Sequence, residues 1–275
     1  MYRAENEEPG IRFHGVELEV RRFGGAKAVR VLHAAGQTIE AHRHDWACVT
    51  LPIIGGAREY FDGGEALIEG PSAILHPAGS YHGDDVGAFG LETFSIQFDP
   101  AWLRNGPDLR SGRSRAFEGG NTGLLANRLA STWRNPAAIE AHLKAATLDF
   151  VQLAFGVAPE PKPAWLERVR EETSRDEDLS TVELGRKLDL HPAWLARSYR
   201  RAMGEGLAEM RRRRRVTEAV ARLRHGDEPL ADVAAAAGFC DQSHMNRNFA
   251  EVLGRTPLQV RQERCLFVAE PSAAA

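Results

Sequence analysis

Residues 230–261 read LADVAAAAGFCDQSHMNRNFAEVLGRTPLQVR. Met245, Phe249 and Leu253 recur every fourth residue and define one buried stripe of a helix. Asp241 stands where a helix N-cap is wanted, and Gly254 ends the run. Upstream, Pro229 opens a short helix that Gly238 closes; downstream, Thr256-Pro257 starts another. The unit is therefore a short helix, a tight turn at Ala237 to Asp241, and a second helix whose N-terminal polar residues are free to face outward.

Fifty residues earlier the same plan occurs. Ser180-Thr181-Val182-Glu183 has the form of a capping box ahead of Leu184 and Leu188. His191-Pro192 begins the next helix, in which Leu195, Arg197, Tyr199, Met203 and Gly204 match Met245, Arg247, Phe249, Leu253 and Gly254. A long helix from about Leu207 to His225-Gly226 joins the copies. This is the plan of two helix-turn-helix units, in which a first helix braces and the second lays its N-terminal side chains along base edges. Two copies on one rigid connector can reach successive major grooves, roughly 34 Å apart. The competing reading is an all-helical bundle with no nucleic-acid role; a duplicated unit with a basic connector weighs against it.

Charge agrees once it is read by position. The 275-residue chain carries a formal net charge of -3, which points away from DNA. Between Arg186 and Arg224, however, twelve basic residues face four acids. A local basic stripe is what phosphate attraction needs. The run Arg211 to Arg215 wraps its helix, so only some of it can face DNA, with Glu209 and Glu218 at pairing distance along the helix.

Gly238-Phe239, Asp241-Gln242-Ser243-His244, Asn246-Arg247, Phe249, Gly254 and Thr256-Pro257 resemble the signature of the AraC/XylS family of transcription regulators. The upstream copy is similar in Leu195, Arg197, Tyr199, Arg200 and Gly204, and the connector in Arg215 and Ala219. Departures are Ala250 where a basic residue is common, Val260 and Met210 where tyrosine is common, and His191 where a serine cap is usual. The resemblance implies base reading by Ala193, Trp194, Arg197 and Arg201 in the first unit. In the second it implies Asp241, Gln242, Ser243, Asn246 and Arg247. Arginine can grip guanine, and Gln or Asn adenine, through paired hydrogen bonds. Each also has a plainer role: Asp241 and Ser243 as caps, Arg197 and Arg247 as phosphate clamps that position without reading. The implied partners are double-stranded promoter DNA, an unknown small-molecule effector, a second copy of the chain and, for an activator, RNA polymerase.

From Glu17 to Phe98 the pattern is of strands, punctuated at Gly24-Gly25, Gly55-Gly56, Asp62-Gly63-Gly64 and Gly70-Pro71. In Thr93 to Phe98, Phe94, Ile96 and Phe98 alternate with Thr93, Ser95 and Gln97. Many short strands with glycine turns predict an antiparallel barrel or sandwich. Gly36 followed by His42-Arg43-His44, and Pro77-Ala78-Gly79-Ser80-Tyr81-His82, resemble the two motifs of the cupin family. Histidines at i and i+2 share a strand face, so His42 and His44 can chelate together, with His82 as a third ligand. The glutamate of metal cupins is absent after His44, and Asp45 falls on the opposite pleat face. The three histidines are either a zinc site with an open position or lining of a sensory pocket that has lost its metal, where His76 and Tyr81 could equally serve an organic ligand.

Leu125, Leu129 and Trp133 predict one helix, and Asn135-Pro136 the start of another bearing a seam of Ile139, Leu143, Ala146, Phe150 and Leu153. The seam packs either on its own barrel or against a second copy. Three prolines between Val157 and Pro163 mark a linker. The expected α+β chain thus has a cupin-like antiparallel barrel at 1–118, a helical section at 119–156, a linker at 157–162 and an all-α unit with two helix-turn-helix motifs at 163–268. Cys48, Cys240 and Cys265 suggest no disulfide framework. The first residues lack an apolar leader, and no stretch approaches the length of a membrane span. A cytoplasmic, non-enzymatic regulator is expected, without a required cofactor. The alternative is a metal-dependent cupin enzyme, an oxygenase or isomerase, with a DNA-binding tail.

Overall fold

The structure, a computed structural model, describes residues 13–263 apart from 24, 101–112, 136, 157–162 and 177–178. The expected linker at 157–162, the Gly24 half of the first turn, Pro136, and the end of the all-α unit beyond 263 lie outside the described residues.

Eight antiparallel strands form one sheet: β1 (Val16–Phe23), β2 (Ala26–His33), β3 (Thr38–Arg43), β4 (Ala47–Phe61), β5 (Gly64–Glu69), β6 (Ser72–His76), β7 (Tyr81–Phe98) and β8 (Arg115–Glu118). Their order is β1-β2-β7-β4-β6-β8, with β3 also on β7 and β5 also on β4. The long strands β4 and β7 serve both walls. The end of β7 pairs with β2 and with the start of β4, while its beginning pairs with β3 and the end of β4. The bend between these halves requires glycine. Gly55 and Gly90 both have positive φ, and a Cβ on Gly55 would overlap the carbonyl of Gly90.

The alternation in Thr93 to Phe98 holds, but both faces are buried. Phe94, Ile96 and Phe98 join the apolar core under the helices, while Thr93, Ser95 and Gln97 are buried on the opposite side, where Thr93 and Ser95 line the barrel cavity. The barrel is thus polar within and apolar on the face its helices cover.

Helices α1 (Gly120–Arg134) and α2 (Glu140–Gly156) lie on that outer face. Asn135 closes α1, its N–H donating to Ser131 O and Thr132 O, and its side chain accepts from Ala137 N. The second helix therefore starts at Glu140, five residues after the expected cap, because the chain first needs an extended residue and a turn. Leu143 and Phe150 are buried in the barrel's own core, with Ala146 and Leu153 partly buried, whereas Ile139 is exposed. The apolar seam is consumed within the chain and is not a free face for a partner.

The remaining helices are α3 (Ala164–Arg175), α4 (Thr181–Leu188), α5 (Pro192–Met203), α6 (Leu207–His225), α7 (Leu230–Ala236), α8 (Gln242–Leu253) and α9 (Pro257–Gln262). Their ends follow local chemistry. Ser180 Oγ accepts from Glu183 N at 3.2 Å, and Glu183 Oε2 accepts from Ser180 N at 2.9 Å. Such a cap contributes about 1 kcal/mol. His191 caps α5 with Pro192 in its first turn, Asp241 caps α8, Thr256 caps α9, and Gly204 and Gly254 end α5 and α8 in the left-handed region.

Two cores result. Leu184, Leu188, Leu195, Tyr199, Met203 and Met210 form a cluster belonging to the first unit. The second unit has no such independence: Met245, Phe249, Leu253 and Val260 share one continuous apolar cluster with Val220 and Leu223 of α6 and with Val49, Phe94 and Ile96 of the barrel.

Candidate functional site

α4 and α5 make the first helix-turn-helix, α7 and α8 the second. Leu195, Tyr199 and Met203 are buried on α5, and Met245, Phe249 and Leu253 on α8, so both stripes face inward. All nine residues expected at the DNA face, Ala193, Trp194, Arg197, Arg201, Asp241, Gln242, Ser243, Asn246 and Arg247, are exposed. They are not equally free. Asp241 Oδ1 accepts from His244 N at 2.6 Å, so its carboxylate is occupied as a cap. Among the described residues, Arg197, Arg201 and Arg247 make no ion pair or hydrogen bond, and Ser243 caps nothing.

The arginine run on α6 is used internally. Arg212 pairs with Glu251, Arg213 with Glu205 at 2.8 Å, and Arg214 donates to Thr173 O at 2.8 Å. Glu209 and Glu218, the acids at helical spacing, instead take Arg200 and Arg222. Much of the local positive excess therefore fastens helices to one another, since burial leaves a guanidinium no water to satisfy it. Arg197, Arg201 and Arg247 on the recognition helices have no such partner among the described residues.

Trp194 and Arg201 also face the barrel. With Trp165, Leu67, Ile74 and Phe117 they line a cleft of about 520 Å³ between the β5, β6 and β8 edge and α5. The Trp165 and Trp194 rings meet edge to face at 5.5 Å between centroids. The C-terminal end of α5 rests on the start of α1: a Cβ on Gly119, at φ 70°, would overlap the carbonyl oxygen of Ala202.

On the far side of the barrel the second unit is held by ions. Glu92 of β7, fully buried, lies 2.6 Å from Arg224 at the end of α6 and 2.6 Å from Arg255 in the turn before α9, with Arg30 of β2 at 3.6 Å. Glu263 also meets Arg30, Arg224 and Arg255. Burial alone would raise the Glu92 carboxyl; Arg255, Arg224 and Arg30 outweigh it and hold it down at about 2.

Within the barrel, register brings His42 of β3 opposite His82 of β7. His44, just past β3, completes a triangle with ring centroids 4.4 to 4.8 Å apart. One ring nitrogen from each of His42, His44 and His82 lies within 4.8 Å of the others. A second triad shares His82: Glu59 of β4 and His76 of β6, at the same limit. A carboxylate from another strand, Glu59, thus lies beside His76 and His82. Sequence reasoning missed Glu59; the available signal was a charged residue between Ala57 and Phe61, on the pleat face that Ala57 buries. Cys48, in the region where the motif glutamate is expected, is buried and its thiol is pushed up by that burial and by Glu59. Tyr81 is exposed and carries Arg43 on its ring, so it does not line the cavity. The cavity is about 40 Å³, room for an ion or a water or two rather than an organic effector.

Residues 184–263 match the family model described as a helix-turn-helix domain, of AraC type. No curated protein matches the chain. Among solved structures, apo ToxT K231A from Vibrio cholerae is similar over 87% of this chain and 97% of its own, at 11% identity and a TM-score of 0.38. A protein of unknown function from Listeria innocua aligns over 37% of this chain and 97% of its own, at 23% identity and a TM-score of 0.34. The lyase DddQ from Ruegeria pomeroyi aligns over 28% and 39%, at 17% identity and a TM-score of 0.27. Likenesses this distant establish no shared activity. Among the described residues no helix is long and apolar enough to cross a membrane.

Proposed function

We propose that this chain, which carries an AraC-type helix-turn-helix domain, is a sequence-specific transcription regulator of the cytoplasm whose barrel adjusts how the two recognition helices meet a promoter. The observation that carries the reading is the pair of capped helices, α5 and α8, with outward N-terminal turns and arginines, Arg197 and Arg247, without internal partners among the described residues. An internal structural role would have paired these cations as it pairs Arg212 and Arg213.

An effector of small-molecule size is supported by the 520 Å³ cleft, within the usual range of ligand pockets. Apolar and aromatic walls interspersed with Ser72, Asn121, Thr122 and Ser198, and with the guanidinium of Arg201, suit an amphipathic molecule bearing an anionic group. Because Trp194 and Arg201 belong to both the cleft and the recognition helix, a ligand there and DNA at α5 draw on the same side chains; that gives the differential binding a population shift requires. Homodimerisation and contact with RNA polymerase belong to this reading as its partners. Enzyme activity is left out of this reading, and the small size of the histidine cavity, about 40 Å³, favours that.

The test is binding of the full chain to labelled duplexes from its own upstream region, with a salt titration and a scrambled duplex as competitor. Selective, salt-sensitive binding is expected. Equal affinity for scrambled DNA overturns the reading. The full chain is required because the core of the second unit is continuous with the barrel.

A further inference from the structure

We infer that the barrel interior is a binding site for one divalent transition-metal ion of the zinc class, held by His42, His44 and His82, with Glu59 of β4 as the carboxylate of the site and His76 beside it. The inference does not depend on the DNA-binding role.

Ring orientation supports ligation. His42 Nδ1 lies 2.9 Å from Glu40 O. A carbonyl can only accept, so Nδ1 carries the proton and Nε2 keeps its lone pair for a metal; this is the usual outer-shell arrangement of a ligand histidine. His76 Nδ1 is 3.0 Å from Ser114 Oγ, which leaves Nε2 turned toward Glu59 Oε1 at 2.9 Å. That contact lies off hydrogen-bond direction, and Glu59 Oε1 has no hydrogen-bond partner although the residue is 2% exposed. His82, 6% exposed, has an unpartnered Nδ1. Buried polar atoms without partners cost folding free energy, on the order of 1–3 kcal/mol each. Two of them facing one small cavity, from a histidine and a carboxylate, are accounted for by an ion.

Charge points the same way. Six histidines, Glu59 and Asp84 line the cavity, and among the described residues no lysine or arginine does. Two acidic side chains therefore open onto one small space without a lysine or arginine beside them. The donor set of three imidazoles and a carboxylate suits zinc, cobalt or iron, and not magnesium or calcium. Neighbouring nitrogens in tetrahedral zinc sit about 3.4 Å apart; the donor atoms of His42, His44 and His82 lie within 4.8 Å of one another, and those of Glu59, His76 and His82 within the same limit.

The test uses the full chain, purified on a cleavable tag without histidines, stripped with chelator and titrated with Co²⁺ and Zn²⁺. One equivalent of each metal, a raised melting temperature, and the intense visible bands of four- or five-coordinate cobalt are expected. His44→Ala and His82→Ala are expected to abolish the bands. Glu59→Gln is expected to weaken binding about 10- to 100-fold, and His142→Ala, on the exposed face of α2, to leave it unchanged. Should a variant fail to fold, the cobalt spectrum of the unaltered chain still decides. No stoichiometric metal on the folded protein, a weak octahedral spectrum, or full binding by folded His82→Ala overturns the inference.

Discussion

Glu92 Oε2 lies 2.6 Å from Arg224 Nη2, joining a barrel strand to the helix that connects the two DNA-binding units across 132 residues of sequence. Both side chains are buried, 0% and 5% exposed, and Arg255 and Glu263 close the group around them.

Removing the carboxylate leaves the guanidiniums of Arg30, Arg224 and Arg255 confronting one another around Glu263. Glu92→Ala is therefore expected to cost about 3–5 kcal/mol in chemical unfolding. Glu263→Ala, at the partly exposed rim, should cost less. Equal, small losses for both would show that the cluster does not hold the halves together.

Acid should weaken the fold in two stages. His33 is lowered by burial to about 4 from an ordinary 6.5, so the unfolded chain takes up its proton first. Its contribution is complete above 6.5 and disappears as pH falls toward 4. Glu92, held at about 2 against an ordinary 4.5, contributes fully above 4.5 and loses that contribution between 4.5 and 2. His42, His44 and His82, also lowered by burial, add to this upper stage, so chelator-treated protein should lose stability from pH 6.5 downward and His33→Gln should make the loss shallower without abolishing it. A profile unchanged between pH 7 and 4.5 would contradict this.

At the DNA face, Arg247→Ala and Asn246→Ala are expected to weaken binding by about 1–3 kcal/mol each where they read a base, and to relax selectivity at one position. A phosphate role for Arg247 would instead lower affinity evenly and reduce the salt slope by about one. Arg212→Ala should leave affinity nearly unchanged, since its guanidinium is paired with Glu251. A larger loss from Arg212 than from Arg247 would mean that the wrong face has been identified.

Gly119→Ala places a methyl group on the Ala202 carbonyl at a backbone angle that L-residues avoid. The expected result is looser packing of α5 on α1, seen as faster hydrogen exchange in α5 and altered fluorescence of the Trp165–Trp194 pair, which shares the cleft. Unchanged exchange in α5 would show that this junction does not restrain the first unit.

The helical half was legible in the sequence because its signals are local. The Ser180 box, His191-Pro192, the Asp241 and Thr256 caps, and the Gly204 and Gly254 ends each act within one turn of chain, and all recur in the structure. Asn135 shows the limit: a good capping residue was available, but the chain used it to close one helix rather than open the next. The barrel site was half visible. His42 and His44 announce themselves by spacing, whereas Glu59 and His76 are brought to His82 by the register of β4, β6 and β7, which no local pattern contains. The arginine run was legible as charge but not as partner choice, because Glu205, Glu251 and the Thr173 carbonyl are brought to it by tertiary packing. Nothing near Glu92 hinted that it would meet Arg224.

The shared core of the barrel and the second unit bears on how this chain could be re-engineered. Cutting at the proline-rich stretch would free the first unit with its own interior intact, yet strip the second of the wall that Phe249 and Val220 lean on. A chimaera that grafts a foreign sensor onto these helices would need to carry the outer face of β4 and β7 with it, Glu92 included. Otherwise the transplanted half would present a sticky, unshielded flank and a knot of uncompensated arginines. The natural seam for domain exchange is therefore not where the chain is thinnest, but beyond the strands that the second unit has adopted as its floor.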